Sequence, residues 1–559
     1  GGPVTCPNMA RIAERGVKFA NFHTTALCSP TRASLLTGRN ATTNGMATIA
    51  EFASGFPGIS TRIPFESGFI SEVLTEHGYN TYAIGKWHLT PGEECNLAAY
   101  KGRWPLGRGF ERFYGFLGGE TNCYYPDLIA DNHPVEPPGR PEDGYHLADD
   151  LADKAVEFIR DAKTIDSGKP FFMYLAPQAG HAPHLVPLEW ADSYKGVFDE
   201  GYEAIRAGIL ARQIELGLLP EGTELSRINP HGEPERTGPD GQAWPQLDTV
   251  RPWGTLNDDE RRLFVRMAEV FAGYVSYHDD RLGRVLDHLE ATGEIDNTII
   301  VVVSDNGGSG EGGPNGSFNE WRFFNGVPDT AESTLPHIDE LGTPASNNHY
   351  NTGWAWAFDT PFPYWKRWAG AEGGVADMCV VSWPARIAPD TRPRQQYLHA
   401  ADIVPTLYEL LDIEPPEEIK GHSQLPIDGQ SFAAALTDPE APGRDSQFYS
   451  MLGQRSIYHE GWLATTVHPP LSGWGKFEHD EWELFQLETD RSQTTDVADQ
   501  NPEKLELLKG LWFFSAGRYN GLPVDDRSAI EQVLAERPHA APARDRYIFY
   551  PDSADVPES

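Results

Sequence analysis

The sequence predicts an α/β fold: a large, mixed and mostly parallel sheet flanked by helices, followed by a smaller antiparallel sheet domain. Three observations predict it. Short apolar runs such as residues 297–304 (NTIIVVVS) alternate with helical patterns, and continuous apolar strands between helices mark a sheet covered on both faces. Polar, chemistry-bearing residues follow three of those strands directly. From about Pro442 the helical pattern gives way to closely spaced short strands.

The elements follow in order. Residues 7–16 read as a helix closed by Gly16, and residues 69–77 as another closed by Gly78. Residues 81–84 form a short strand. Residues 147–162 carry an amphipathic helical pattern with Ala155, Val156, Phe158 and Ile159 on the apolar side. Residues 170–175 read as a buried strand, residues 263–291 as a long helix and residues 297–304 as a strand. The Gly- and Asn-rich stretches 307–328 and 329–352, and the polar insert 229–251, read as long loops. Residues 447–452, 455–459, 462–467 and 482–487 are strand-like, and 502–514 is helical. The expected division is a catalytic α/β domain over 1–442, an antiparallel sheet with a helix over 443–520, and a tail or the start of a further domain over 521–559, whose last residues, 547–559, stop within a strand pattern.

Composition narrows the function. At 559 residues the chain exceeds one simple core. Forty-five basic against 82 acidic residues give a net charge of −37, which argues against nucleic acid or an anionic membrane as partner. No run of 18 apolar residues occurs, so nothing is expected to span a membrane. Neither a secretory leader nor a paired Cys pattern among Cys6, Cys28, Cys95, Cys123 and Cys379 is visible, so a reducing, cytoplasmic setting is the expectation.

The most informative run is Cys28-Ser29-Pro30-Thr31-Arg32, continuing to Leu36-Thr37-Gly38-Arg39. Pro30 suits the first turn of a helix and Ser29 suits a cap. Cys28 then sits at a helix N-terminus, where unpaired N–H groups and the helix dipole favour an anion, and Arg32 can turn back to the same point. The plain alternative is a buried cysteine before an ordinary capped helix. Lys86 and His88 follow one strand, His181 another, and Asp305 and Asn306 a third. Ligands of open α/β sheets bind beyond the carboxyl ends of strands, so these segments are expected to meet at one edge.

Cys-x-Pro-x-Arg with Leu-Thr-Gly-Arg resembles the signature of the formylglycine-dependent type I sulfatases. Residues 78–88 (GYNTYAIGKWH) resemble the family's second signature and Ser304-Asp305-Asn306-Gly307-Gly308 its third block. The similarity runs from about residue 7 to about 515 and is nearest to the large bacterial arylsulfatases. It implies an alkaline-phosphatase-like fold and hydrolysis of sulfate esters, aryl sulfates foremost. It implies that a formylglycine-generating enzyme converts Cys28 to Cα-formylglycine, whose hydrate attacks sulfur. His88 then serves as the base that releases sulfate. Arg32 and Lys86 hold the nucleophile and the sulfate. His181 stands near the leaving group, with His184 as a rival, and Lys366 contacts the sulfate. Cys28, Asp305 and Asn306 would bind one Ca²⁺, or Mg²⁺ in its place.

The chain departs from the family pattern in one respect. Members begin with a central strand and an Asp-Asp pair that binds the metal, and no such pair precedes Pro7. Asp305 and Asn306 offer too few oxygens for Ca²⁺, which takes six to eight. The expectation is a sulfatase trimmed at both ends. Two alternatives stand beside sulfate ester hydrolysis: a phosphonate or phosphodiester hydrolase of the same superfamily, and an inactive truncated form.

Overall fold

The computed structural model describes residues 2–232, 246–325, 327–471 and 476–534. Part of the polar insert at 229–251 and the strand pattern at 547–559 lie outside them. The chain opens with α1 (Pro7–Glu14), β1 (Val17–His23), α2 (Cys28–Thr37), α3 (Ile70–Glu76), β2 (Asn80–Lys86), β3 (Arg112–Phe116), β4 (Leu128–Ala130), β5 (His133–Val135), α4 (Leu147–Ile165) and β6 (Phe171–Ala176). After the helix Asp258–Ala291 come β7 (Ile300–Val302), β8 (Ala376–Ser382), β9 (Asp390–Arg394) and β10 (Leu398–His399).

The strands form two five-stranded mixed sheets. One runs β10-β1-β8-β7 with β9 also on β1; the other runs β5-β4-β3-β2-β6. β2 pairs parallel with β3 and β6, while β8 is antiparallel to β1 and β7. β6 and β7 are therefore edge strands among the described residues. The buried strands expected at 170–175 and 297–304 are accordingly half-buried, and the second shrinks to three residues. An apolar run reports what a strand could bury, and an edge strand lacks the neighbour that would finish the burial.

The helix Asp258–Ala291 is the central buttress. Asn257 caps it, accepting from Glu260 N while Glu260 accepts from Asn257 N, both at 2.9 Å. Its buried face (Leu263, Phe264, Met267, Val270 and Tyr274) packs on α4 and on the side chains of β6; each such side chain contributes about 1.5–3 kcal/mol. Farther along the chain, strands Ser446–Met451, Gln454–His459, Trp462–Thr466 and Trp482–Gln486 make an antiparallel sheet, covered by the helix Pro502–Arg518 through Leu508 and Trp512. Beyond it, Ala529 N donates to Pro470 O at 2.8 Å, so the described part of the 521–559 segment docks on this region. All five cysteines are free, and no helix among the described residues is long and apolar enough to cross a membrane.

Two glycines matter for the site. Gly85 has φ +94°, and a Cβ there would meet Ala176 O at 2.1 Å; Gly115, its register partner on β3, would place a Cβ 2.0 Å from Gly85 O. Side chains are excluded at this crossing, just where β2 delivers Lys86. His88 continues the turn with φ +55°, an uncommon conformation for a non-glycine residue.

Candidate active site

The helix α2 begins at Cys28 itself, with Leu27 as its extended N-cap and no side-chain cap. Ser29 is thus not the cap its position promised. Its Oγ donates to His88 O at 2.7 Å and ties the α2 N-terminus to the loop after β2. The competitor that displaced capping is this long-range bond between buried partners.

Cys28 is 2% exposed. Its Sγ lies 3.1 Å from His88 Nδ1, and His88 Nε2 lies 2.8 Å from Glu51 Oε2. Burial pushes the Cys28 thiol up, but Lys86 and His88 outweigh it and bring it to about 6. Burial pushes His88 down, while Glu51 and Cys28 raise it to about 9. The two shifts run in opposite directions and favour a thiolate–imidazolium pair.

Arg32 binds three segments at once. Its Nε and Nη2 reach Asp305 Oδ2 at 2.8 and 2.7 Å, and its Nη1 donates to Lys86 O at 2.8 Å and Tyr174 Oη at 3.2 Å. Burial alone would raise Asp305; Arg32 and Lys86 instead hold it at about 2. Lys86 is pressed below its ordinary value by burial, with Arg32 and Lys366 adding to the effect.

Lys366 comes from a loop clamped between two site segments. Lys366 N donates to Gly308 O at 2.9 Å, and Arg367 N to Ala26 O at 2.7 Å. Its Nζ donates to His181 Nε2 at 3.1 Å and to Glu311 Oε2 at 3.2 Å. Burial opposes the Lys366 charge, and Glu311 and Cys28 more than restore it. His181 is driven well down by burial, Lys366 and Lys86. The rival His184 instead sits among the rings of Phe271, His349 and Tyr350, so the geometry favours His181.

The structure thus gathers Cys28, Arg32, Lys86, His88, His181, Asp305 and Lys366 around one point, with Asn306 next in the chain. Sequence reasoning missed Glu51, Glu120, Tyr174, Glu311 and Glu320. Glu120 follows the end of β3, the same sheet edge that identified Lys86, so that rule could have found it. Glu51 and Glu311 lie in irregular segments with no spacing to mark them.

A calcium ion does not fit the donors present. Asn306 Oδ1 is buried without a partner, as a ligand would be, but Asp305 Oδ2 is committed to Arg32. Among the described residues no group of three or more His, Cys, Asp or Glu is placed to hold a metal, and the few remaining oxygens fall short of a Ca²⁺ shell.

Comparison with known proteins agrees with the geometry. The sulfatase family model matches residues 1–413. An uncharacterized sulfatase of Schizosaccharomyces pombe is 27% identical over 572 residues, covering 96% of this chain and 94% of that one. An arylsulfatase of Klebsiella aerogenes is 25% identical over 448 residues, covering 78% and 87%. The solved structure of BT4656 with its substrate D-glucosamine-2-N,6-O-disulfate superposes with a TM-score of 0.59 at 18% identity, covering 94% and 96%. The chain belongs to the sulfatase family of sulfuric ester hydrolases.

Proposed function

We propose that this chain hydrolyses small sulfate monoesters, aryl sulfates foremost, at a Cα-formylglycine formed from Cys28 by a formylglycine-generating enzyme. The observation that carries the reading is the convergence on Cys28 Sγ of His88 at 3.1 Å and of the charges of Lys86 and Lys366. A sulfate ester needs a nucleophile, cations on its oxygens and a proton for the departing oxygen. The hydrated aldehyde at position 28 would supply the nucleophilic oxygen. His88, oriented by Glu51, holds a proton at Nδ1 against that position and takes or returns it there. Lys86 and Lys366 face the sulfate oxygens. Arg32 fixes Asp305 and the Lys86 backbone, so it orders the pocket instead of competing for substrate. His181 and Lys366 form the proton-bearing pair on the leaving-group side.

The test is co-expression with a formylglycine-generating enzyme. Mass spectrometry of the Cys28 peptide is expected to show conversion of thiol to aldehyde, and the converted protein to release 4-nitrophenol from its sulfate. Lys86→Ala is expected to abolish turnover with the circular dichroism unchanged. An unmodified thiol beside an active modifying enzyme, or faster turnover of a phosphonate monoester than of any sulfate, would overturn the reading.

A further inference from the structure

We propose that Glu311 is a positioning residue: it anchors the Lys366 ammonium beside His181, so that one Lys366 N–H is left to face the bound ester. The inference rests on the leaving-group role given to His181 and Lys366 above.

The hydrogens decide the arrangement. His181 Nδ1 lies 2.7 Å from Ala182 O. A carbonyl only accepts, so Nδ1 carries the ring hydrogen, and Nε2 accepts from Lys366 Nζ at 3.1 Å. An ammonium has three N–H donors. His181 takes one, and Glu311 Oε2, at 3.2 Å, takes the second. No third side-chain acceptor stands at Nζ among the described residues, which leaves one N–H for a substrate oxygen. The lysine stem is flexible and its donors rotate. A single acceptor would leave the free N–H to swing, whereas two acceptors on different segments fix where it points.

Glu311 is itself held in place. It is buried, in the irregular segment after β7. A Cβ at Gly310 would meet Trp365 Nε1 at 2.1 Å, and one at Gly312 would meet Tyr350 O at 1.9 Å. The chain on either side of Glu311 therefore lies too close to its surroundings for any side chain. Lys366 N donates to Gly308 O at 2.9 Å and Ser309 N to Tyr350 Oη at 3.1 Å, which ties the same segment to Lys366 and Tyr350. The second carboxylate oxygen, Glu311 Oε1, lies 3.6 Å from Arg367 Nε. The carboxylate is thus engaged at both oxygens by two adjacent cations. Burial pushes Glu311 up, but Lys366 and Arg367 outweigh it and bring it to about 2. Burial works against the Lys366 charge, and Glu311 leads the groups that restore it. Both partners are charged, as the contact requires.

The experiment uses the formylglycine-bearing chain and separates reach from charge. Glu311→Gln keeps the side-chain length and an oxygen acceptor but loses the charge. Glu311→Asp keeps the charge but is one methylene shorter. On phenyl sulfate, where protonation of the leaving oxygen matters, Glu311→Asp is expected to lose on the order of 10² in kcat with KM changed only a few-fold, and Glu311→Gln less than about tenfold. On 4-nitrophenyl sulfate the Glu311→Asp loss is expected to shrink to a few-fold. Turnover by Glu311→Asp equal to or faster than that of Glu311→Gln, or equal losses on the two esters, would overturn the proposal. A second measurement needs no turnover: crystal structures of the unmodified protein and both variants are expected to keep Lys366 Nζ within hydrogen-bond distance of His181 Nε2 in the parent and in Glu311→Gln, and to show it displaced in Glu311→Asp. An unmoved Nζ in Glu311→Asp overturns the positioning role even if sulfate esters are hydrolysed. A displaced Nζ in a protein whose parent turns over no sulfate ester sinks the assigned reaction and leaves the positioning standing.

Discussion

The Arg32–Asp305 contact joins α2 to the segment after β7, and its strength can be worked out from the structure. One charge-assisted hydrogen bond, from Arg32 Nε at 2.8 Å, and an ion-pair contact from Nη2 at 2.7 Å link the side chains; such a hydrogen bond contributes about 1.5–3 kcal/mol. The Asp305 side chain keeps 24% exposure, so solvent screens part of this gain. Depression of the Asp305 carboxyl from 3.8 to about 2, the net of burial against Arg32, Lys86 and Lys366 together, corresponds to about 2.4 kcal/mol of pH-dependent stability. This stability is present above pH 3.8 and is lost as pH falls through about 2. We therefore expect a coupling energy of about 2–3 kcal/mol in a double-mutant cycle of Arg32→Met, Asp305→Asn and the double variant. Arg32→Met alone is expected to cost about 2–3 kcal/mol, because it leaves the partly covered Asp305 carboxylate unpaired and also drops the bonds to Lys86 O and Tyr174 Oη. Urea unfolding followed by tryptophan fluorescence supplies the free energies. A coupling below about 0.5 kcal/mol would mean that the two residues act independently, and the assignment of Arg32 as the tie between the segments would fail.

Three further predictions address other parts of the molecule. A Cβ at Gly119 would stand 2.8 Å from His88 Cε1, so Gly119→Ala is expected to displace the ring from Glu51 and depress turnover while the melting temperature stays within a few degrees; unchanged turnover would place His88 outside the reaction. Burial depresses His146 to about 4 and His278 to about 3, so the unfolded chain binds their protons first. Stability is then full above pH 6.5 and falls towards pH 4, by up to about 1.4 kcal/mol per pH unit for each residue. His278→Gln is expected to flatten the dependence of melting temperature on pH in that window, and parallel curves would refute this. Calorimetric titration of Ca²⁺ is expected to show no tight stoichiometric binding, since the described donors do not complete a shell; a tight site would mean that other oxygens complete it.

Elements whose signal is local were legible in the sequence. The helix at α4 and the long helix Asp258–Ala291 announce themselves by apolar spacing, and Gly78 closes α3 with φ +83°. The candidate residues were legible where strand ends locate them: Lys86 ends β2, which runs to residue 86 and not to 84 as expected, and His88, His181 and Asp305 follow strands. What stayed hidden depends on distant partners. Ser29 looked like a cap until His88, 59 positions away, claimed its hydroxyl. The half-burial of β6 and β7 depends on which strands stand beside them, which an apolar run does not encode. Glu51, Glu311 and Glu320 sit in irregular segments, so no periodicity marks them and only the folded chain brings them to the cations they face.

The charges of the pocket explain how an anion can bind a chain of net charge −37. Remote carboxylates are screened beyond about 8 Å at physiological salt, whereas buried charges a few ångströms away are not. Four Lys and Arg cations among the described residues crowd the centre, and three of them are paired: Arg32 with Asp305, Lys366 with Glu311, and Arg367 with Asp248. Lys86 Nζ has no ion-pair partner among the described residues, and it is 3% exposed. Burial, Arg32 and Lys366 already press its proton towards release. In the proposed reaction a sulfate oxygen arriving there would supply the missing counter-charge, so its electrostatic gain would be largest at Lys86. The other three cations, already neutralised by carboxylates, serve to fix the geometry around it. The division follows from the ion pairing itself and supports the substrate-binding role proposed for Lys86.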